Sequence, residues 1–149
     1  MTPKQKLTII IFLSGLAFVN ATYLSYKAYF FRFVDPQGLS SFCDISGVFS
    51  CTEVLRHPLS QVFGVSFPWV AFVVYPVIIC IAYFAYRKAH VCSCYIKTLA
   101  VLSGIGVLFN GFIIYREVIY IHSYCILCLI CTAIIVSIFG LSLSILKRK

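Results

Sequence analysis

Charged residues are scarce in this chain, and acidic residues are the scarcest of them. Only 11% of the 149 residues are charged, and Asp and Glu together number 4. The remainder is apolar, with 62% hydrophobic residues and a mean hydropathy of +1.02. Soluble globular domains carry about 25% charged residues. The composition therefore excludes that class and indicates an integral membrane protein.

Several other sequence features are also absent, and their absence limits the classes of function that the chain can have. The chain contains neither the Gly-x-Gly-x-x-Gly fingerprint of a dinucleotide site nor the Cys-x-x-Cys-His motif of haem attachment. The basic residues form no stripe, so the net charge of +8 favours contact with anionic lipid over nucleic-acid binding. No small-residue cleavage site follows the first apolar stretch, which we interpret as a retained membrane span and not as a signal peptide.

Four apolar stretches are present, and each is close to the roughly 20 residues that a helix needs to cross the hydrocarbon core. They cover residues 7–31, 67–86, 98–115 and 126–146. We therefore predict one all-α domain over residues 1–149, a four-helix membrane bundle. Residues 32–66 form its long first connection.

Positive charge predicts the orientation, because Lys and Arg near membrane spans stay on the cytoplasmic side. Most basic residues lie in the N-terminus, the second connection and the C-terminus, namely Lys4, Lys6, Arg87, Lys88, Lys97, Lys147, Arg148 and Lys149. All four acidic residues lie with the first and third connections instead. We therefore expect both termini in the cytoplasm and these two connections outside.

Paired cysteines occur in both of the connections expected outside. The first connection contains Cys43 and Cys51, and the third leads into Cys125 and Cys128 at the start of the fourth apolar stretch. This side of a bacterial plasma membrane or an endoplasmic reticulum is oxidising, so disulfides form and persist there.

Two interpretations of the four cysteines remain open. In one, Cys43 and Cys51 form a fixed disulfide while Cys125 and Cys128 only pack the helix. In the other, the Cys-x-x-Cys pair at a helix N-terminus is redox-active, because the helix dipole favours the thiolate. A mobile loop pair and a fixed helix pair would then pass a disulfide between them by thiol exchange. We favour this relay.

A relay needs a final electron acceptor, and the missing cofactor motifs indicate a lipid-soluble one. A membrane quinone would reach a pocket beside Cys128, among the outer halves of the helices. Thr132 follows Cys125 by seven positions and shares its helix face. Its hydroxyl is a candidate contact to a quinone oxygen, although a hydrogen bond to its own helix backbone is an equal alternative.

The segments "FCDISGVFSCTEVL", "FGVSFPW" and "YCILC" resemble the vitamin K epoxide reductase family over nearly the whole chain. The resemblance implies a four-helix bundle around a quinone, ubiquinone or menaquinone, with the outer loop and a short helix covering the pocket. It implies that Cys43 receives electrons from a thioredoxin-like partner, Cys51 attacks Cys125 and Cys128 meets the quinone. No thioredoxin domain follows Lys149, so the expected partner is a separate periplasmic dithiol protein. The expected location is a bacterial plasma membrane.

Two positions depart from the family pattern. The Ser or Thr that commonly follows the second loop cysteine by six residues is His57 here, with Ser60 three residues further on. Either is a candidate polar contact to the pocket, and His57 is equally a candidate solvated loop residue. Thr132 occupies the place of a tyrosine in the vertebrate vitamin K enzymes, which favours ordinary quinone reduction over reduction of vitamin K epoxide.

Two other functions are alternatives to this one. Disulfide bond protein B type oxidases also have four spans and use quinone, but their Cys-x-x-Cys lies in the first outer loop. A soft-metal carrier would bind copper(I) through Cys125 and Cys128, but such carriers usually offer Met along a path, and this chain has only Met1.

"HVCSC", residues 90–94, offers three candidate zinc ligands where a closed site needs four. The cysteines outside the two pairs, namely Cys80, Cys92, Cys94 and Cys131, are expected to stay thiols.

Overall fold

The computed structural model describes residues 2–34, 42–46, 48–58, 61–62, 64–87 and 93–147. Its long helices are α1 (Pro3–Phe33), α3 (Phe67–Arg87), α4 (Ser93–Arg116) and α5 (Ile126–Leu146), and a short helix α2 spans Cys51–Arg56. Each of the four long helices is long and apolar enough to cross a membrane. The prediction of an all-α membrane protein with four spanning helices is confirmed.

The first helix begins before the apolar stretch that predicted it. Thr2 caps its N-terminus by accepting a hydrogen bond from the backbone N–H of Gln5, whose side chain bonds back to the N–H of Thr2. Pro3 occupies the first turn, where its missing N–H costs nothing. With 31 residues, α1 is about 46 Å long, at 1.5 Å per residue. It therefore extends beyond the roughly 30 Å of hydrocarbon.

The long helices pack as a bundle. Helix α1 contacts α3 and α5, and α4 contacts α5 and α3. Buried apolar side chains form two clusters: one holds Leu7, Ile10 and Ile138, and the other holds Leu24, Phe67 and the four paired cysteines. We call the end of the bundle that contains the second cluster the loop end, because the connection between α1 and α3 folds onto it.

Helices α4 and α5 approach closely where α4 carries glycine. A Cβ atom added to Gly106 would lie 3.0 Å from Cγ1 of Ile135, and one added to Gly104 would lie 3.1 Å from Cε2 of Phe139. Either contact is tighter than ordinary van der Waals packing. The two glycines therefore allow α5 to lie against α4 and bring its cysteine-bearing first turn to the loop end.

The described part of the connection between α1 and α3 is organised around Asp44. Its carboxylate accepts hydrogen bonds from the Ser50 hydroxyl and the Thr52 backbone N–H, both at 3.0 Å, and from the Thr52 hydroxyl. Ser50 in turn caps α2 by accepting from the N–H of Glu53. These bonds fix the start of α2, and α2 contacts α1.

After α2 the chain turns back in a short hairpin. Strand β1 (Gln61–Val62) pairs antiparallel with β2 (Val65–Ser66). Gly64 lies in the turn with φ of +79°, a conformation that glycine adopts without steric cost. The guanidinium of Arg32 donates to the Gly64 carbonyl at 3.0 Å, which joins the hairpin to the end of α1.

Candidate active site

The two cysteines of the first connection form a disulfide. Cys43 and Cys51 are bonded, with their Cα atoms 5.8 Å apart, within the usual range for a disulfide. Cys51 is the first residue of α2, so the Ser50 cap and the Asp44 bonds also fix its backbone. Both cysteines are buried, with 2% of Cys43 and none of Cys51 exposed. The disulfide thus lies inside the protein and does not lie on the outer surface of the loop.

The second pair lies at the start of α5 and is reduced. Cys125 is the N-cap residue of α5, and the Cys128 backbone N–H donates to the Cys125 carbonyl at 3.0 Å. Both thiols are free and buried. The Sγ atom of Cys125 lies 3.2 Å from the Sγ atom of Cys51. The fold therefore brings one sulfur of each pair into contact, as thiol exchange requires.

Contacts between the loop and the segment before α5 hold this arrangement. The Tyr124 backbone N–H donates to the Val48 carbonyl at 2.8 Å, and the rings of Tyr124 and Phe49 lie 5.8 Å apart between centroids. The Ser123 hydroxyl donates to Oε2 of Glu53 at 2.8 Å. Both sides of the sulfur contact are therefore tied together by backbone and side-chain bonds.

A cavity of about 140 Å³ lies beside Cys128, inside the bundle. Its walls come from all four long helices and are mainly apolar, including Leu24, Phe67, Val74 and Phe109. Apolar walls with a few polar groups are typical of small-molecule sites. Polar groups reach it from Asn110, Tyr75, Cys128 and Cys131. The residues present fit a quinone, because an apolar ring needs apolar walls and its carbonyl oxygens need a few hydrogen-bond donors.

Asn110 and Tyr75 are two residues with hydrogen-bond donors on the wall of this cavity. The Asn110 amide nitrogen donates to the Gly106 carbonyl at 2.9 Å, which leaves its second N–H to serve a ligand. The Tyr75 hydroxyl lies 3.4 Å from the Cys131 carbonyl, a long bond. The Asn110 side-chain oxygen lies 3.3 Å from the Thr132 hydroxyl, which donates to it across the contact between α4 and α5.

The three side chains predicted to contact the quinone lie in different places. Thr132 is absent from the cavity wall, and its hydroxyl lies 2.9 Å from the carbonyl of Cys128 in its own helix. His57 ends α2 and lines a separate outer groove with Asp44 and Glu53. Ser60 lies outside the described residues. Their roles as quinone contacts stay predictions.

Two residues of the site were missed from the sequence. The Asn20 amide of α1 donates to the Leu127 carbonyl at 2.9 Å and lies 3.1 Å from the sulfur of Cys131. It thereby joins α1 to α5 one turn below Cys128. The signal was available, since Asn20 is a polar residue inside an apolar stretch. The other missed residue, Glu117, is 1% exposed, whereas its sequence position indicated only an acidic outer connection.

The remaining cysteines make no cluster in the described part of the chain. Cys80 and Cys94 are free and exposed, and Cys92 lies outside the described residues. Among residues that are described, no three His, Cys, Asp or Glu side chains lie close enough together to hold a metal ion.

Comparison with known families gives one match. The model of the vitamin K epoxide reductase family matches residues 8–143, nearly the whole chain, and this range contains both cysteine pairs. None of the curated proteins compared with the chain matches it.

Proposed function

The chain belongs to the vitamin K epoxide reductase family, and on this premise we propose that it generates disulfides in a partner protein and delivers the electrons to a membrane quinone. The family implies the coarser activity, a quinone-linked thiol oxidoreductase. The order of transfer between the cysteines, the partner and the acceptor are our proposal. The observation that carries it is the 3.2 Å contact between the sulfurs of Cys51 and Cys125.

The relay begins with the Cys43–Cys51 disulfide. A thiolate of the reduced partner attacks Cys43, and the electron pair of the broken bond leaves on Cys51. The second partner thiol then displaces Cys43, so that the partner becomes a disulfide and both loop cysteines are reduced. Because Cys43 is only 2% exposed, this step requires the loop to move away from the site.

The second half of the relay transfers the disulfide back to the loop. With Cys125 and Cys128 oxidised, the Cys51 thiolate attacks Cys125 and the electron pair leaves on Cys128. Cys43 then attacks Cys51, which restores the loop disulfide and leaves Cys125 and Cys128 as thiols. This product is the redox state described here, a closed loop disulfide facing a reduced helix pair.

A bound quinone would accept two electrons and two protons, which would return Cys125 and Cys128 to the disulfide. In our proposal the cavity beside Cys128 holds its ring, and Asn110 and Tyr75 orient it. Thr132 supports the Asn110 side chain across the 3.3 Å contact. His57 and Ser60 remain candidates for the polar rim of the pocket, and either ubiquinone or menaquinone is compatible with its chemistry.

We assign the partner to the class of thioredoxin-like dithiol proteins, on the outer side of a bacterial plasma membrane. The charge distribution supports this placement. It favours a cytoplasmic position for both termini, and the two cysteine pairs would then lie on the oxidising side.

Quinone-dependent oxidation of a reduced thioredoxin-like protein by the purified enzyme tests the proposal. We expect one quinol for each partner disulfide, with the loss of partner thiols and the reduction of quinone measured in the same sample. Cys128→Ala should abolish both, whereas the matched variant Cys80→Ala, at an exposed thiol, should retain both. Equal loss of partner thiols with and without quinone would contradict the proposal.

A further inference from the structure

Glu117 is an acidic residue buried beside the cysteines. It begins a π-helical turn, Glu117–Ile121, that continues α4 at the loop end. Only 1% of it is exposed, and neither carboxyl oxygen has a hydrogen-bond partner among the described residues. A buried carboxyl without a partner is costly and rare within a membrane protein, where it usually marks a functional site.

The carboxyl group of Glu117 lies against the first turn of α5. Ile113 and Ile121, four residues before and four residues after Glu117, pack in the same buried cluster as Cys125 and Cys128, and the buried carboxyl is close enough to the Cys128 thiol to act on it electrostatically. Two charged groups on the same and the neighbouring segments, Arg116 and Glu53, contact other partners. The guanidinium of Arg116 lies 3.5 Å from the Gln61 carbonyl and over the ring of Phe112. Glu53 of α2 accepts its bond from Ser123.

We propose that Glu117 carries the proton of Cys128: it gives that proton to the sulfur when the Cys125–Cys128 disulfide opens and takes it back when the disulfide closes. This inference rests on the proposed function. When the Cys51 thiolate attacks Cys125, the S–S bond breaks and its electron pair leaves on Cys128. The carboxylic acid of Glu117 protonates this sulfur and becomes a carboxylate. No further reagent is needed for the balance.

Two physical arguments favour this transfer. A disulfide has no hydrogen to donate, so a carboxyl group buried beside it has its lowest free energy as the neutral acid. A thiol, in contrast, can donate a hydrogen bond to the carboxylate. A carboxylic acid is also ordinarily the stronger acid by about 4 pKa units, so the proton moves readily to a departing thiolate. Positioned proton transfer typically contributes 10²- to 10⁴-fold in rate, and we expect Glu117→Gln to slow the exchange at least about a hundredfold.

The competing explanation is purely structural. Cys125 has no side-chain cap, and the Glu117 carboxyl could serve only as an acceptor for its backbone N–H. Glutamine keeps that acceptor oxygen and nearly the same shape but carries no transferable acid proton. Glu117→Gln therefore separates the two roles, and Glu117→Asp retains the acid.

The decisive measurement is the equilibrium between the Cys125–Cys128 disulfide and its dithiol in the purified full-length protein without quinone. Reduced and oxidised dithiothreitol set the redox ratio, thiols are trapped by alkylation, and mass spectrometry reads the peptide with these two cysteines. The pH runs from about 5 to about 9, between ordinary carboxyl and thiol pKa values. At each pH, the wild-type equilibrium constant for reduction is divided by that of Glu117→Gln.

Reduction of the disulfide takes up two protons. If Glu117 supplies one of them, the wild-type protein takes up one proton fewer from water than Glu117→Gln does. The ratio of constants should then rise with pH, at up to tenfold per pH unit in the range where Glu117 titrates, and Glu117→Asp should show the same rise. A ratio that is constant at every pH overturns the proposal. If Glu117→Gln does not fold, the pH dependence of the wild-type constant decides. Uptake of two protons from water at every pH overturns the proposal, whereas uptake of one proton over part of the pH range supports it.

This measurement needs neither quinone nor partner. A constant ratio in a protein that oxidises a thioredoxin-like dithiol with quinone would refute the role of Glu117 and leave the proposed function standing. A rising ratio in a protein that lacks that activity would refute the proposed function alone.

Discussion

The sulfur atoms of Cys51 and Cys125 lie 3.2 Å apart, although 74 residues separate them in the chain. Cys51 begins a short helix of the loop, and Cys125 caps the last membrane helix. Among the contacts described, this is the only one that joins a sulfur of the loop pair to a sulfur of the helix pair. It therefore indicates which two cysteines would exchange a disulfide between the pairs. In our proposal Cys43 then exchanges with the partner, while Cys128 lines the cavity.

The first prediction concerns the order of transfer. Cys51→Ala leaves the Cys43 thiol without its bonding partner, so we expect Cys43 to attack the disulfide of the oxidised thioredoxin-like protein, which releases one partner thiol and leaves a mixed disulfide that Cys51 cannot resolve. Non-reducing electrophoresis should show this adduct accumulating while turnover stops. Cys80→Ala, which alters an exposed thiol, is the control and should behave as wild type. Normal turnover by Cys51→Ala would refute the relay.

The second prediction concerns the thiolate that meets the quinone. In Cys125→Ala, Cys128 loses its disulfide partner but keeps its place on the cavity wall. We expect its thiolate to persist against added quinone and to give a visible charge-transfer band. Cys128→Ala should give none, and absorbance of the two purified variants decides. A band only in Cys128→Ala would reverse the roles of the two cysteines.

The third prediction concerns orientation. The distribution of Lys and Arg predicts that both termini lie in the cytoplasm, so an amine reagent that cannot cross membranes should not label Lys4 or Lys147 in intact cells. A cysteine inserted in residues 35–41 should be labelled by a thiol reagent of the same kind. Labelling of the C-terminal lysines from outside would contradict the assignment of every span.

The fourth prediction compares two glycines of α4. Gly106→Ala places a methyl group 3.0 Å from the buried Ile135 side chain, whereas Gly111→Ala meets nothing within 4 Å. Alanine favours a helix over glycine by about 1 kcal/mol, but overpacking costs about 1–3 kcal/mol. Thermal unfolding in detergent should show Gly111→Ala at least as stable as wild type and Gly106→Ala less stable.

Quinone content gives the same pair of variants a second readout. Gly106 and Ile135 both line the cavity beside Cys128, and Gly111 does not. Solvent extraction should therefore recover less quinone from Gly106→Ala than from Gly111→Ala. Equal quinone content in the two variants would argue that the quinone binds elsewhere.

The membrane helices were predictable because hydropathy alone reports them. The predicted third span started at residue 98, but α4 begins at Ser93, so the charged Lys97 that limited the apolar stretch lies inside the helix. The two cysteine pairs were likewise visible in the sequence. Their contact depends on α2 and on the segment before α5, which spacing along the chain does not determine.

Burial of single side chains was the least predictable feature. A helix wheel places Thr132 on the face of Cys125, but it does not show that Asn110 of α4 lies opposite the Thr132 hydroxyl. Glu117 was counted as one acid of an outer connection, whereas the π-helical turn directs it into the protein. Both outcomes depend on the neighbouring helix, and hydropathy carries no such information.

The most direct test of the account is a disulfide trap between Cys51 and Cys125. In the double variant Cys43→Ala/Cys128→Ala, each of these cysteines has lost its own partner, and their sulfurs start 3.2 Å apart. Mild oxidation followed by mass spectrometry of the digested protein should show a nearly complete Cys51–Cys125 cross-link, and the control Cys43→Ala/Cys125→Ala should cross-link Cys51 to Cys128 far less. Free thiols at both positions after oxidation, or equal cross-linking in the two double variants, would contradict the proposed transfer from Cys51 to Cys125.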